Sequence, residues 1–363
     1  METLDRRQLT LATLDRQLLL RRHDLGVEEA VTHLVGLQAQ EPLEPYTGLW
    51  SRLAGFDPLS LVAGLEDRTL VRTLTMRRTL HLHTAADCLA LRPAHQGMLL
   101  TKMLGIHRRT LEGVDLDALT ALATPLFAAE PRTGTDVARE VGVRWPHVEA
   151  RWLGDALTCL VPLVQVPPRG VWGRTAPARL TTVGAWLGEE PASPPDVLAS
   201  MVVRYLRAFG PASSSDLRAW CGVPGLPAVV KELRPTLVSY RDESGRELLD
   251  VADGTLPMED AEVPVRFLPA FDNTVLGYDD RRRVIDDEHR GLSVSGARFV
   301  LVDGRVAAVW VPRRPVADGP VTVGIELLRA LTPSEADAVV EEGRALAAFL
   351  ADGTPGDVEV ATA

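Results

Sequence analysis

The chain has 363 residues, enough for two or three domains that each bury a core. Hydrophobic residues make up 46% and charged residues 24%, the balance of a soluble globular protein, which excludes a disordered or fibrous chain. The formal net charge of −10 argues against indiscriminate polyanion binding, which neutralisation of phosphates drives.

No apolar run reaches the ~18–20 residues of a membrane helix, and the start METLDRRQLT has no signal-peptide apolar core. Cys88, Cys159 and Cys221 are odd in number and scattered, so neither a disulfide framework nor a cysteine-ligated metal is expected. These features predict a cytoplasmic protein without membrane contact.

In chain order, Leu11, Leu14 and Leu18 have helical spacing, as do Val27, Ala30, Val31, Leu34 and Val35. Gly36 ends that second helix and Pro42 forbids its continuation, so Gln38-Ala39-Gln40 sits at a helix-to-loop junction. If extended there, period-two geometry sends both amides to one side and Leu37 and Ala39 to the other. Paired glutamines are ordinarily caps or loop hydrogen-bonders. A third helix carrying Tyr46, Leu49, Trp50 and Leu53 starts at Pro45.

Leu70–Thr84 (LVRTLTMRRTLHLHT) alternates like two strands joined near Arg77-Arg78, a wing with arginines at its tip. His81 and His83 there form a metal-like HxH pair with nothing nearby to complete a site, and the bland reading is polar strand positions on a basic wing. From Arg68 to Arg109 eight basic residues, including Arg77, Arg78, Arg108 and Arg109, face one acid, Asp87. A basic segment on an acidic body points to a local anionic ligand.

An internal repeat follows. TGTDVAREVGV (Thr133–Val143) and SSSDLRAWCGV (Ser213–Val223) lie 80 residues apart. Thr135 and Ser215 are expected N-caps, with Asp136 and Asp216 at the positive helix end and Gly142 and Gly222 in the closing turns. Each copy follows an apolar helix (Leu116–Phe127; Val197–Phe209) and precedes another (Pro146–Leu160; Leu226–Leu237). Each then enters a hairpin, Leu163–Arg174 turning at Pro167–Gly170 and Leu237–Val251 turning at Ser244-Gly245. Three helices and a hairpin describe a winged helix-turn-helix. The first ~110 residues are a looser version of the same unit.

Past residue 262 the pattern is strand: Phe267–Leu276, Arg283–Ile285, and the hairpin Ala297–Val311 with its Asp303-Gly304 turn. Arg281, Arg282 and Arg283 follow a turn between strands, either a solvated hairpin tip or an arginine finger into a DNA minor groove. Thr332-Pro333-Ser334-Glu335 is a capping box opening the last helix, to Leu350. The expected fold is α+β: winged-helix units at 1–110, 111–192 and 193–262, then a β-rich region with a final helix at 263–363.

No GxGxxG, Walker or GxSxG motif is present, which leaves dinucleotide, nucleotide and serine-hydrolase chemistry without support. Cofactors are not expected, nor is a metal. LLLRRHDLGVEEAVTHLVGLQAQEP, PYTGLWSRL, TMRRTLHLHTAADC and LPAFDNTVL together resemble the AlkZ/YcaQ-like family of bacterial DNA glycosylases, from about Leu9 to Leu350. The resemblance implies tandem winged helices forming a C-shaped channel around double-stranded DNA. The Gln-x-Gln branch, matched by Gln38-Ala39-Gln40, implies excision of bulky N7-alkylpurines, crosslink unhooking and self-resistance to a DNA-alkylating natural product. Gln38 and Gln40 are then catalytic, and Arg77, Arg78, His81, His83, Arg108, Arg109 and Arg281–Arg283 are the expected DNA contacts. Only Lys102 and Lys231 are lysines, which favours a monofunctional enzyme, expected to be a monomer. The rivals are a winged-helix transcription regulator and a non-catalytic adduct binder. Against the regulator, neither Pro146–Leu160 nor Leu226–Leu237 offers the Arg/Asn/Gln-rich face that reads base edges.

Overall fold

The structure, a computed structural model, describes residues 2–314 and 319–362. It is a mixed α+β fold with three sheets among the described residues. The repeat is built as two helix trios: Leu116–Ala129, Gly134–Val141 and Ala150–Leu160, then Val197–Phe209, Ser214–Cys221 and Leu226–Leu233. The N-caps are Thr133 and Ser213, two residues earlier than expected. Each hydroxyl accepts the N–H of the aspartate three residues on, at 3.1 and 3.2 Å. An aspartate at N3 thus fixes its cap upstream, and at Ser213 the Asp216 carboxylate returns a bond to the cap N–H, closing a full capping box that spacing alone does not reveal. Gly222 turns left-handed at φ 72°, whereas Gly142 keeps φ −68° and the chain runs on into a 3-10 turn.

The first trio packs Leu119, Phe127, Val137 and Leu157 against Met98, Leu99 and Met103 of the preceding helix Gln96–His107. The second stacks Tyr205, Phe209 and Trp220, with ring centroids 4.9–5.9 Å apart. Its hairpin, Leu237–Asp242 with Glu247–Val251, gains Thr3–Leu4 as a parallel third strand. The hairpin after the first trio returns at Leu180–Thr182, not within 171–174. Pro167 and Pro168 have no N–H to give a ladder, and pairing continues instead with Val166 donating to Arg179.

Leu70–Leu74 and Leu80–Thr84 do pair as a hairpin, but at the centre of a five-stranded sheet. Leu37–Gln38 flanks one side, and Leu163–Gln165 with Leu180–Thr182 the other. The turn is no free wing tip. Met76 is fully buried in the core of the second trio.

The C-terminal sheet runs Asp357–Thr362, Thr322–Leu327, Arg305–Arg313, Arg298–Val302, Arg266–Leu268, covered by the helix Pro333–Leu350. Thr332 and Glu335 form the expected capping box, and Asp303 and Gly304 turn the hairpin at φ 51° and 78°. The strand at 267–276 stops at Leu268, where Asp272 caps the short helix Asn273–Leu276. Residues 283–285 form a turn that buries Val284 and Ile285.

Candidate active site

The helix Val27–His33 ends with Val35 and Gly36 at φ 56° and 94°. A Cβ on Gly36 would lie 2.5 Å from His83 Cε1 and 2.9 Å from the Leu82 carbonyl. Glycine therefore lets the turn rest directly on the hairpin strand. Leu37 and Gln38 pair with Leu82 and His81, and Ala39 N–H donates to Leu80 O at 2.8 Å. There the ladder ends. Arg72 Nη2 donates to the Ala39 carbonyl at 2.7 Å, and Leu80 N–H turns to the Gln40 side chain, donating to Oε1 at 3.2 Å.

The segment is extended, and both carboxamides reach the 76–80 turn. Arg77 Nη2 donates to Gln38 Oε1 at 2.6 Å and to Asn273 Oδ1 at 2.8 Å, while Nη1 donates to the Trp220 carbonyl at 2.7 Å. A guanidinium has only donors, so the Gln38 atom facing it has to be oxygen. Burial, then the charge of Arg281, lowers the Arg77 pKa to about 10, which leaves it cationic at neutral pH. Gln38 is 8% exposed. Its Nε2 has no acceptor among the described residues and is not sealed from solvent.

Gln40 is exposed and lines a cleft of about 580 Å³ with Arg78, Arg151, Asp155, Gln165 and the start of the helix Gly134–Val141. Arg78 pairs with the part-exposed Asp155 carboxylate and donates from Nε to Cys159 Sγ at 3.2 Å. His107 Nε2 lies 2.6 Å from the same carboxylate. Lys102 Nζ lies 3.5 Å from the Arg77 carbonyl. Burial, then Arg77 and Arg78, lowers its pKa. Glu44 is spoken for by Arg298 and the Ala270 N–H.

Other expected contacts lie elsewhere. His81 and His83 are fully buried, their rings stacked 5.8 Å apart, against Thr79 O and Thr75 Oγ1. They are core residues, not a DNA-facing wing. Burial drives both toward the neutral form, His83 to about 4. Arg108 and Arg109 are exposed past the helix Gln96–His107. Arg281–Arg283 form neither a hairpin tip nor a finger. Arg281 donates to Ser293 Oγ at 2.6 Å, Arg282 grips Asp280 at 2.7 and 2.9 Å, and buried Arg283 lies 4.1 Å over the Tyr278 ring.

Sequence reasoning counted Arg72 only within the basic run from Arg68 to Arg109 and missed Asn273, Asp155 and Gln165 as site residues. Only Asn273 had a signal, its place in LPAFDNTVL. Among the described residues no group of three or more His, Cys, Asp or Glu is placed to hold a metal ion, and no helix is long and apolar enough to cross a membrane.

A family model described as DNA glycosylase AlkZ-like matches residues 31–349. An interstrand DNA cross-link repair glycosylase of Streptomyces sahachiroi is 26% identical over 343 residues, 84% of this chain and 87% of that protein. The solved structure of the Streptomyces sahachiroi DNA glycosylase AlkZ superposes with a TM-score of 0.78 at 23% identity, covering 99% of this chain and 100% of that one. That likeness shows a common fold.

Proposed function

The chain belongs to the AlkZ-like DNA glycosylase family, and from that premise we propose that it hydrolyses the N-glycosidic bond of bulky N7-alkylpurines in double-stranded DNA. Its enzyme class is DNA glycosylase. The observation that carries the site is the Gln38 carboxamide, anchored through its oxygen by Arg77, two residues before Gln40, which lines an open cleft.

An N7-alkylguanine is already cationic, so its base leaves with little acid catalysis. Water oxygen bonds to C1′ as the C1′–N9 bond breaks, and the freed pair on N9 cancels the imidazolium charge. The surplus proton passes from the attacking water to solvent. Neither amide is a base of useful strength; Gln38 and Gln40 position the water and hold the sugar–phosphate. A bulky adduct does not fit a closed base-flipping pocket, so the lesion is approached in the duplex. In this reading the three helical units, 1–110, 111–192 and 193–262, are winged helices around a C-shaped channel. Arg78, Arg108, Arg109 and Lys102 meet phosphates. Lys102 lies outside the Gln40 cleft, which fits a monofunctional enzyme that leaves an abasic site. Monomeric action, a cytoplasmic setting, unhooking of crosslinks and self-resistance to an alkylating natural product complete the proposal.

Purified protein incubated with 7-alkylguanine DNA is expected to release base and leave abasic sites. Gln38→Ala and Gln40→Ala, each with a wild-type melting profile, are expected to lose at least about tenfold in rate, some 1.4 kcal/mol of barrier. Wild-type rates in both variants refute the catalytic assignment. Adducted-DNA binding without base release marks a sequestering protein. Salt-resistant preference for one undamaged sequence marks a regulator.

A further inference from the structure

The cleft that exposes Gln40 has a neighbour across the motif loop. Residues 40–43 form a largely exposed ridge. Gln40 faces the first cleft, while Leu43 and Glu44 line a second one of about 360 Å³. Another segment is shared in the same way: Gln165 and Ala178 face the first cleft, and Trp172 and Gly173 between them face the second. The two segments are stitched together. Arg72 bonds both Ala39 O and Gln165 Oε1. Tyr46 O–H donates to Gly170 O at 2.8 Å and accepts Trp172 N–H at 3.1 Å. At ~3.3–3.6 Å per residue, Leu43 lies within roughly 11 Å of Gln40.

The second cleft has a different chemistry. Leu43, Trp172, Trp310, Val321 and Leu350 supply apolar walls. Its charged groups are already engaged. Arg298 and Ala270 N–H hold the Glu44 carboxylate at 2.5 and 2.6 Å. Trp172 Nε1 donates to Asp352 at 2.6 Å, and Arg314 donates to Leu350 O at 2.6 Å. Among the described residues its two acids and two arginines balance. The volume suits a small ring system, at the lower end of the ~300–1,000 Å³ of ligand pockets.

We propose that this cleft binds the non-nucleobase part of the adduct: a neutral, flat, apolar group tethered to purine N7 while C1′ sits on the Gln40 side of the ridge. The inference rests on the glycosylase reading and assigns selectivity for bulky over small adducts to residues outside the Gln-x-Gln motif.

The test compares duplexes carrying 7-methylguanine or 7-(2-naphthylmethyl)guanine with wild type, Leu43→Trp and Leu43→Ser. Leu43 is 40% exposed at the rim, so both variants are expected to keep the wild-type melting temperature. The ratio of naphthylmethyl to methyl release is expected to fall at least tenfold in Leu43→Trp, which fills the cleft, and about threefold in Leu43→Ser, which removes an apolar wall. A ratio unchanged in both variants overturns the proposal and leaves the glycosylase reading standing. Wild type that releases 7-methylguanine alone also overturns it, together with the bulky-adduct part of the proposed function, and leaves base excision itself standing. Wild type that releases neither base refutes the glycosylase reading itself.

Discussion

Arg77→Met tests whether the position of Gln38, rather than its mere presence, limits the chemical step. The substitution removes one guanidinium from three acceptors: Gln38 Oε1, Asn273 Oδ1 and the Trp220 carbonyl. Hydrogen bonds to a charged group are worth about 1.5–3 kcal/mol each, so stability falls by a few kcal/mol. Gln38, whose amide nitrogen has no acceptor among the described residues, then has no fixed orientation. Loss of about 1.4–2.8 kcal/mol of transition-state positioning corresponds to a 10- to 100-fold slower step. The assay is single-turnover release of 7-methylguanine with enzyme in excess, run well below the melting temperature of the variant. Affinity for undamaged duplex is measured alongside and is expected to stay within threefold. Arg77→Lys keeps the charge without the planar fork and falls between the two. A folded Arg77→Met protein with a chemical rate within threefold of wild type refutes the positioning argument, whatever its stability.

Acid is expected to destabilise the fold. His83 and His95 are held neutral by burial at about 4, against 6.5 when unfolded. The unfolded state therefore binds more protons across pH 4–6.5, and stability falls as pH drops through that window. From pH 7.5 to 5.0 the loss is about 2 kcal/mol per histidine, read by urea unfolding; equal midpoints at both pH values contradict it. Gly36→Ala places a Cβ against His83 and the Leu82 carbonyl at φ 94° and is expected to cost about 2 kcal/mol or more, measured in the same way. Gln40→Glu retains the oxygen that takes Leu80 N–H but loses the NH₂. Near-wild-type release assigns the work to the oxygen, whereas loss as deep as in Gln40→Ala assigns it to the donor.

Where local pattern decides structure, sequence and structure agree. The helix Val197–Phe209 and the end of Pro333–Leu350 were legible from spacing and capping chemistry, and the hairpin after Ala297 from its Asp-Gly turn. Disagreement begins where a distant segment decides. His81 and His83 look polar in LHLHT, yet both are fully buried, with the Gly36 turn resting on the His83 ring and the Leu37–Gln38 strand pairing alongside His81. Arg77 and Arg78 look like an exposed tip, yet Met76 draws the turn into a core built largely from the helices and hairpin at 201–251. Arg281–Arg283 look like one solvated charge run, yet each side chain finds a different partner. The Gln-x-Gln motif was legible because its extended geometry follows from Gly36 and Pro42 and its meaning from the resemblance. Its anchor was not, because Asn273 and the Trp220 carbonyl join it only through tertiary contacts.

That anchor bears on the kind of catalysis available. Arg77 occupies one lone pair of the Gln38 oxygen and draws electron density from it, so the amide becomes a still poorer base. The backbone N–H of Leu80 engages the Gln40 oxygen similarly, though without charge. What each residue keeps free is one lone pair and an NH₂ group. Such a pair orients a water and grips a phosphate oxygen but cannot take a proton, which a hydrolysis tolerates only if the leaving group departs almost unaided. A neutral purine gives no such help. A base that already carries a positive charge does, so on the proposed assignment of Gln38 and Gln40 the two amides suffice for cationic lesions and not for neutral ones.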